Sequence, residues 1–155
     1  MSLMLMLISV ACGFGRVPPE ASGVGPPLVQ IEREAAFALT MPGARESGSH
    51  KADRFSSIDG QTAAYSLIDF DSSATAADVY AYYDIQLKAN GWKPYRVFSL
   101  SFLESDGRAW CKPQMYFTVM IADLPALGRR GLPTPAPGQI RFTAGLTGMQ
   151  QRCPA

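Results

Sequence analysis

Thr75-Ala76-Ala77-Asp78-Val79-Tyr80-Ala81-Tyr82-Tyr83-Asp84-Ile85-Gln86-Leu87-Lys88-Ala89-Asn90-Gly91-Trp92 is the stretch whose reading decides the fold. Thr75 stands where a helix N-cap belongs, and Asp78 follows three residues on, as in a capping box. Val79, Tyr83 and Leu87 recur at i, i+4 and i+8 and form a buried stripe, with Ala76 and Tyr80 beside it. Asp84 and Lys88 are an i,i+4 pair in the favourable order. Asn90 and Gly91 end the helix, because glycine enters the left-handed C-terminal cap at little cost. This is the only well-punctuated helix in the chain, so the remaining apolar segments must build the other layer.

Those segments alternate with period two. Phe98, Leu100 and Phe102 alternate with Val97, Ser99 and Ser101. Phe117, Val119 and Ile121 alternate with Tyr116, Thr118 and Met120, and Ile140, Phe142, Ala144 and Leu146 with Gln139, Arg141, Thr143 and Thr147. One apolar and one polar face predict half-buried antiparallel strands. Upstream, 36–42 reads as a short extended segment ended by Pro42, and 43–53 as a polar surface loop. Asp59-Gly60 reads as a turn joining strands near 54–58 and 62–70, and Ser105-Asp106-Gly107 as another turn. The Pro/Gly-rich stretch 124–138 reads as a long surface loop. The expectation is an α+β fold: an antiparallel sheet of about four to six strands with one main helix packed on one face.

At the start of the sequence, residues 1–11 are apolar and uncharged. They are too few for a transmembrane helix, which needs roughly 20 apolar residues, and suit the apolar region of a secretory signal. Small Ala11 precedes Cys12. This arrangement resembles the signal of bacterial lipoproteins, in which the cysteine becomes a lipid-carrying N-terminus. Ser9 stands where that family prefers leucine, and the first cation is only at Arg16. The resemblance implies Cys12 as the lipid attachment site, a palmitate-type anchor, and an envelope address facing the periplasm. Gly13, where the family's inner-membrane proteins often carry Asp, favours the outer membrane. The alternative is an apolar first strand with an ordinary buried cysteine. Residues 13–27 hold four glycines and four prolines and read as a tether spanning at most roughly 45 Å if extended. A single domain is then expected over 28–155.

With Cys12 assigned to lipid, Cys111 and Cys153 remain. In an oxidising compartment these are expected to join, the other reading being two unrelated thiols. Zinc is not expected, with one histidine and no Cys-x-x-Cys spacing. Net charge is +1, from 14 basic and 13 acidic residues. Without a Lys/Arg cluster, nucleic acid is not an expected partner, and Arg129-Arg130 reads as a loop pair.

A second resemblance lies in Val79-x-x-Tyr82-Tyr83-x-x-x-Leu87-x-x-x-Gly91-Trp92. It is similar to a helix signature of small exported bacterial lipoproteins of unknown role, in which a Pro-Gly pair before the first strand, as at Pro42-Gly43, is also common. It implies architecture over roughly 36–100 and no particular activity.

Chemistry-bearing residues are few. Asp69 and Asp71 are spaced to share a strand face, with Asp53 and Asp59 upstream, and could serve acid/base work or hold a cation. Strand-end solvation is the competing reading. His50 is the only histidine and is expected as a solvent-exposed ring in its polar loop. No Gly-x-Ser-x-Gly, phosphate-loop or His-Glu-x-x-His motif occurs. Tyr80, Tyr82, Trp92, Tyr95 and Trp110 could line an exposed binding surface or fill an ordinary aromatic core. The expectation is a lipid-anchored, non-enzymatic binding or assembly module without a cofactor, its partners the membrane and another envelope protein. A small periplasmic hydrolase-like enzyme and an inhibitor or immunity protein are the alternatives.

Overall fold

The capped helix forms as the sequence requires, and the computed structural model gives it the span Ala76–Ala89, here α2. The structure describes residues 25–57, 60–100, 105–149 and 153. The leader, Cys12 and the tether up to residue 24 lie outside the described residues. At the N-terminus of α2 the Thr75 hydroxyl accepts from Asp78 N at 3.2 Å, and Asp78 Oδ2 accepts from Thr75 N at 3.1 Å. The Thr75 hydroxyl, donating to Asp78 Oδ2 at 2.6 Å, and Thr75 N hold the Asp78 carboxyl below its ordinary value. At the other end Gly91 has φ +78°, and Trp92 N donates back to Leu87 O at 3.0 Å. Val79, Tyr80, Tyr83 and Leu87 are the buried face. Lys88 Nζ reaches Asp84 at 2.6 Å on the outside.

The strands are β1 (Arg45–Ala52), β2 (Phe55–Ser57), β3 (Gly60–Thr62), β4 (Tyr65–Ser72), β5 (Lys93–Leu100), β6 (Ser105–Lys112), β7 (Met115–Ile121) and β8 (Ile140–Gly148). Six of them form one sheet in the order β1-β4-β8-β7-β6-β5, every neighbouring pair antiparallel. β2 and β3 pair separately as a small hairpin. The fold is therefore α+β, mostly sheet, with α2 the main helix.

The helix covers one face of the sheet. Phe70, Phe117, Val119, Phe142, Ala144 and Leu146 project from that face into the stripe of α2. Phe70 stacks on Phe142 at 5.3 Å between ring centroids, and Tyr83 lies 5.5 Å from Phe117. Burial raises the Tyr83 phenol well above its ordinary range. A short helix, α1 (Leu28–Glu32), and a 3-10 turn at Ala35–Ala38 add Ile31 and Ala36 to the same core.

Several segments depart from the sequence reading. Residues 43–53, expected as a loop, contain the edge strand β1. It lacks alternation because only one of its edges is paired and neither face carries the core; a polar, charged strand is a suitable sheet edge. Residues 36–42, expected as extended, begin in the 3-10 turn. Ser105-Asp106-Gly107 opens β6 instead of forming a turn, because β5 and β7 flank it on both sides. The strand expected over 62–70 is split by Ala63-Ala64, with β3 before the break and β4 after it. Residues 58 and 59, like Phe102, lie outside the described residues. Leu124–Arg129 forms a short helix, α3, whose N-cap Asp123 accepts from Ala126 N at 3.3 Å and whose first turn holds Pro125. Folded structure also takes in the last tether residues: Pro27 caps α1, and a Cβ on Gly25 would stand 2.7 Å from Met149 N.

Cys111, fully buried on β6, is bonded to Cys153, with their Cα atoms 5.6 Å apart. The bond ties the end of the chain to the sheet.

Candidate functional site

The five aromatic residues proposed as a surface do not form one. Tyr80, Trp92 and Trp110 are buried in or against the core. Tyr80 Oη donates to Asp106 O at 2.8 Å, and the Arg108 guanidinium lies over its ring at 4.3 Å. Trp110 Nε1 donates to Asp84 Oδ1 at 2.9 Å, which helps Lys88 keep the Asp84 carboxyl below its ordinary value. Tyr82 is half-buried and donates to Thr40 O at 2.9 Å. Tyr95, also half-buried, lies beneath Arg96. Tyr80, Tyr82 and Trp110 thus turn their polar ends to internal partners, as packing aromatics do, while Trp92 Nε1 is buried with no hydrogen-bond partner among the described residues.

A different constellation lies on the sheet face opposite α2. Antiparallel register sets Gly48, Asp69, Thr143 and Met120 side by side across β1, β4, β8 and β7. Facing residues of neighbouring strands share a sheet face, so this row runs from polar at β4 to apolar at β7. The parallel row sets Arg45, Asp71 and Arg141 together. The segment carrying α3 and Leu132-Pro133 rises beside the β7 end. Between them lies a cleft of about 480 Å³, lined among others by His50, Asp69, Thr143, Met120, Leu127 and Leu132.

Asp69 is the hub of the cleft. Its Oδ2 lies 2.8 Å from His50 Nε2, and its Oδ1 accepts from the Thr143 hydroxyl at 2.6 Å. Gly48 makes room for it, since a Cβ there would stand 3.2 Å from Oδ2. His50 is exposed, as expected, and in addition is oriented by a partner that the sequence reading did not give it. Its side chain is still 62% exposed, so a ligand can reach it. With Nε2–H donated to Asp69, the neutral ring presents Nδ1 as an acceptor.

Asp71 behaves differently from Asp69. It is 5% exposed, and Arg141 grips it with two bonds, Nε to Oδ1 at 2.8 Å and a terminal nitrogen to Oδ2 at 2.9 Å. The Arg141 bonds hold the Asp71 carboxyl below its ordinary 3.8, and Asp71 in turn raises the guanidinium. The remaining Arg141 nitrogen donates to Pro133 O at 2.7 Å and so anchors the cleft wall. All three guanidinium nitrogens are engaged. Asp53, another sequence candidate, is remote: it accepts from Leu28 N at 2.9 Å and from Arg54 N at 2.7 Å, and these bonds lower its carboxyl.

The structure therefore unites His50 and Asp69, places Asp71 beside them in a separate ion pair, and adds Arg141, Thr143, Met120 and Leu132, which sequence reasoning did not assign to a site. The one available signal was the polar face of β8, where Arg141 and Thr143 alternate with the core residues. Among the described residues no serine hydroxyl is bonded to His50, and no group of three or more His, Cys, Asp or Glu side chains could hold a metal ion. No described helix is long and apolar enough to cross a membrane. No protein-family model, curated protein or solved structure matches the chain.

Proposed function

We propose that this chain is a lipid-anchored binding module of a bacterial cell envelope, attached through Cys12, facing the periplasm and non-enzymatic. The outer membrane is favoured over the inner, and another envelope protein is the expected partner. The observation that carries the binding reading is the internal pairing of the cleft's charged groups. Asp71 and Arg141 neutralise each other, and both Asp69 oxygens already accept bonds. Nucleophilic catalysis calls for a nucleophile bonded to a base that is oriented by a third group. Among the described residues the base and its orienter are present, and no serine hydroxyl is bonded to the base. The anchor rests on the apolar leader ending at Ala11-Cys12. The Cys111–Cys153 bond supports export, since such bonds persist in oxidising compartments.

Metabolic labelling with a radioactive fatty acid, compared between wild type and Cys12→Ala, tests the anchor. Label on wild type alone is the expected result, together with partition into the detergent phase. Unlabelled wild type in the aqueous phase removes the reading. The His50–Asp69 contact favours one second reading, a hydrolase-like enzyme in which His50 Nδ1 activates water. Hydrolysis of short-chain esters that disappears in both His50→Ala and Asp69→Asn, with folding intact, would select it.

A further inference from the structure

We propose that the cleft across β1, β4, β8 and β7 binds an uncharged single-chain amphiphile, with its hydroxyl-bearing head at His50 and its hydrocarbon along Met120, Leu127 and Leu132. The volume, about 480 Å³, lies within the range of roughly 300–1,000 Å³ for small-molecule sites. Three observations select the ligand class. The first is the gradient along the cross-strand row: Asp69 and Thr143 at one end give way to Met120 at the other. Ala122, Leu127, Leu132 and Pro133 continue the apolar end. Leu132 remains 46% exposed, an apolar side chain left uncovered at the cleft wall. A ligand with one polar and one apolar end matches that order.

The second observation is charge. Among the described residues Arg141 is the only Lys or Arg lining the cleft, and its three nitrogens bond Asp71 and Pro133 O. The bidentate pair with Asp71 cancels the guanidinium charge, so an anionic head meets no net positive charge from it. Among the described residues Asp69 is the only Asp or Glu lining the cleft, and its oxygens are bonded to His50 and Thr143. Those bonds satisfy part of the carboxylate and weaken its pull on a cationic head.

The third observation is the orientation of His50, whose Nε2 lies 2.8 Å from Asp69 Oδ2. A ring that carries its single proton on Nε2, toward the carboxylate, leaves Nδ1 as an acceptor that suits a ligand O–H. A monoacylglycerol has that chemistry. The inference deepens the binding-module reading and does not depend on the anchor.

The experiment uses the full-length chain carrying Cys12→Ala, purified without detergent and labelled with 13C at the methionine methyl groups. Monododecanoylglycerol is titrated below its aggregation concentration. The Met120 methyl signal should shift in a saturable way, while that of Met115, buried in the core, stays in place. Dodecanoate and dodecyltrimethylammonium should bind at least tenfold more weakly. Shortening the acyl chain by two methylenes should weaken binding about tenfold. His50→Ala should weaken it three- to tenfold, and Leu132→Ser, an exposed position, should also weaken it without changing the fold. An unmoved Met120 signal overturns the proposal, as does equal binding of the charged and uncharged amphiphiles. Neither result touches the fatty-acid labelling of Cys12, so failure of this inference is distinguishable from failure of the anchored-module reading.

Discussion

Replacing Arg141 by alanine should destabilise the domain by about 3 kcal/mol at neutral pH. The change leaves Asp71, 5% exposed, as a carboxylate without its partner. Removing one member of a buried ion pair costs about 3–5 kcal/mol, because the remaining charge stays desolvated. The lower end applies here, since the Arg141 side chain keeps 18% of its exposure and Ser47 still approaches Asp71 at 3.4 Å. For a domain of this size, about 3 kcal/mol lowers Tm by about 12 °C. Urea unfolding followed by circular dichroism at several pH values measures the effect. The Asp71 carboxyl lies below its ordinary 3.8 in the folded chain. Its contribution is therefore complete above that value and is lost as pH falls through the folded pKa. The gap between wild type and Arg141→Ala should be full at pH 7 and narrow steadily below about pH 4. Replacing both partners, Asp71→Leu with Arg141→Met, should recover most of the loss, because no buried charge is then left alone. A single-variant loss under about 0.5 kcal/mol, or a gap that is the same at pH 3 and pH 7, would refute the reasoning.

Other perturbations test other parts of the fold. Gly145→Ala would drive a Cβ into Ser66 O and to 2.7 Å from Leu67 Cα. It should cost about 3 kcal/mol by overpacking, or prevent folding; Gly43→Ala, at φ +79° in open space, should cost only about 1–2 kcal/mol of backbone strain when both are compared by thermal melting. Cys153→Ser removes a link between residues 42 positions apart and should lower stability by up to about 4 kcal/mol on the chain-entropy account. Intact mass should show a two-dalton gain on reduction in wild type alone. Phe142→Ala, which removes a fully buried ring stacked on Phe70, should cost about 3–5 kcal/mol in urea unfolding.

The parts of the fold that could be read from sequence are those in which one segment carries its own signal. The Thr75–Asp78 box and the Gly91 cap delimit α2 without outside help, and the alternation of Phe142, Ala144 and Leu146 identifies β8 by its core face. β1 could not be read this way. Arg45, Glu46, Ser47 and Gly48 have no apolar face, and they are extended only because β4 offers them an edge. Ser105 to Gly107 have turn-like chemistry but lie between two strands that hold them straight. α3 has a cap, Asp123 ahead of Pro125, but the reading of 124–138 as a loop rested on its glycines and prolines alone. The cleft was hidden for a related reason. His50 and Asp69 are 19 positions apart, and their meeting depends on the β1–β4 register, including the irregularity between Glu46 and Gly48. Asp69 and Asp71 were rightly placed on one face by spacing alone. Their different fates, one holding a histidine and the other gripped by an arginine, come from which β8 residue each one faces.

The position of β8 in the sheet has a consequence for biogenesis. β1 and β4 pair with each other early in the chain, and β5, β6 and β7 form a meander later, but the two groups join only through β8. A nascent polypeptide emerging from the ribosome therefore cannot close its sheet until residues 140–148 have been synthesised, and until then the inner edges of both halves lack their final partner.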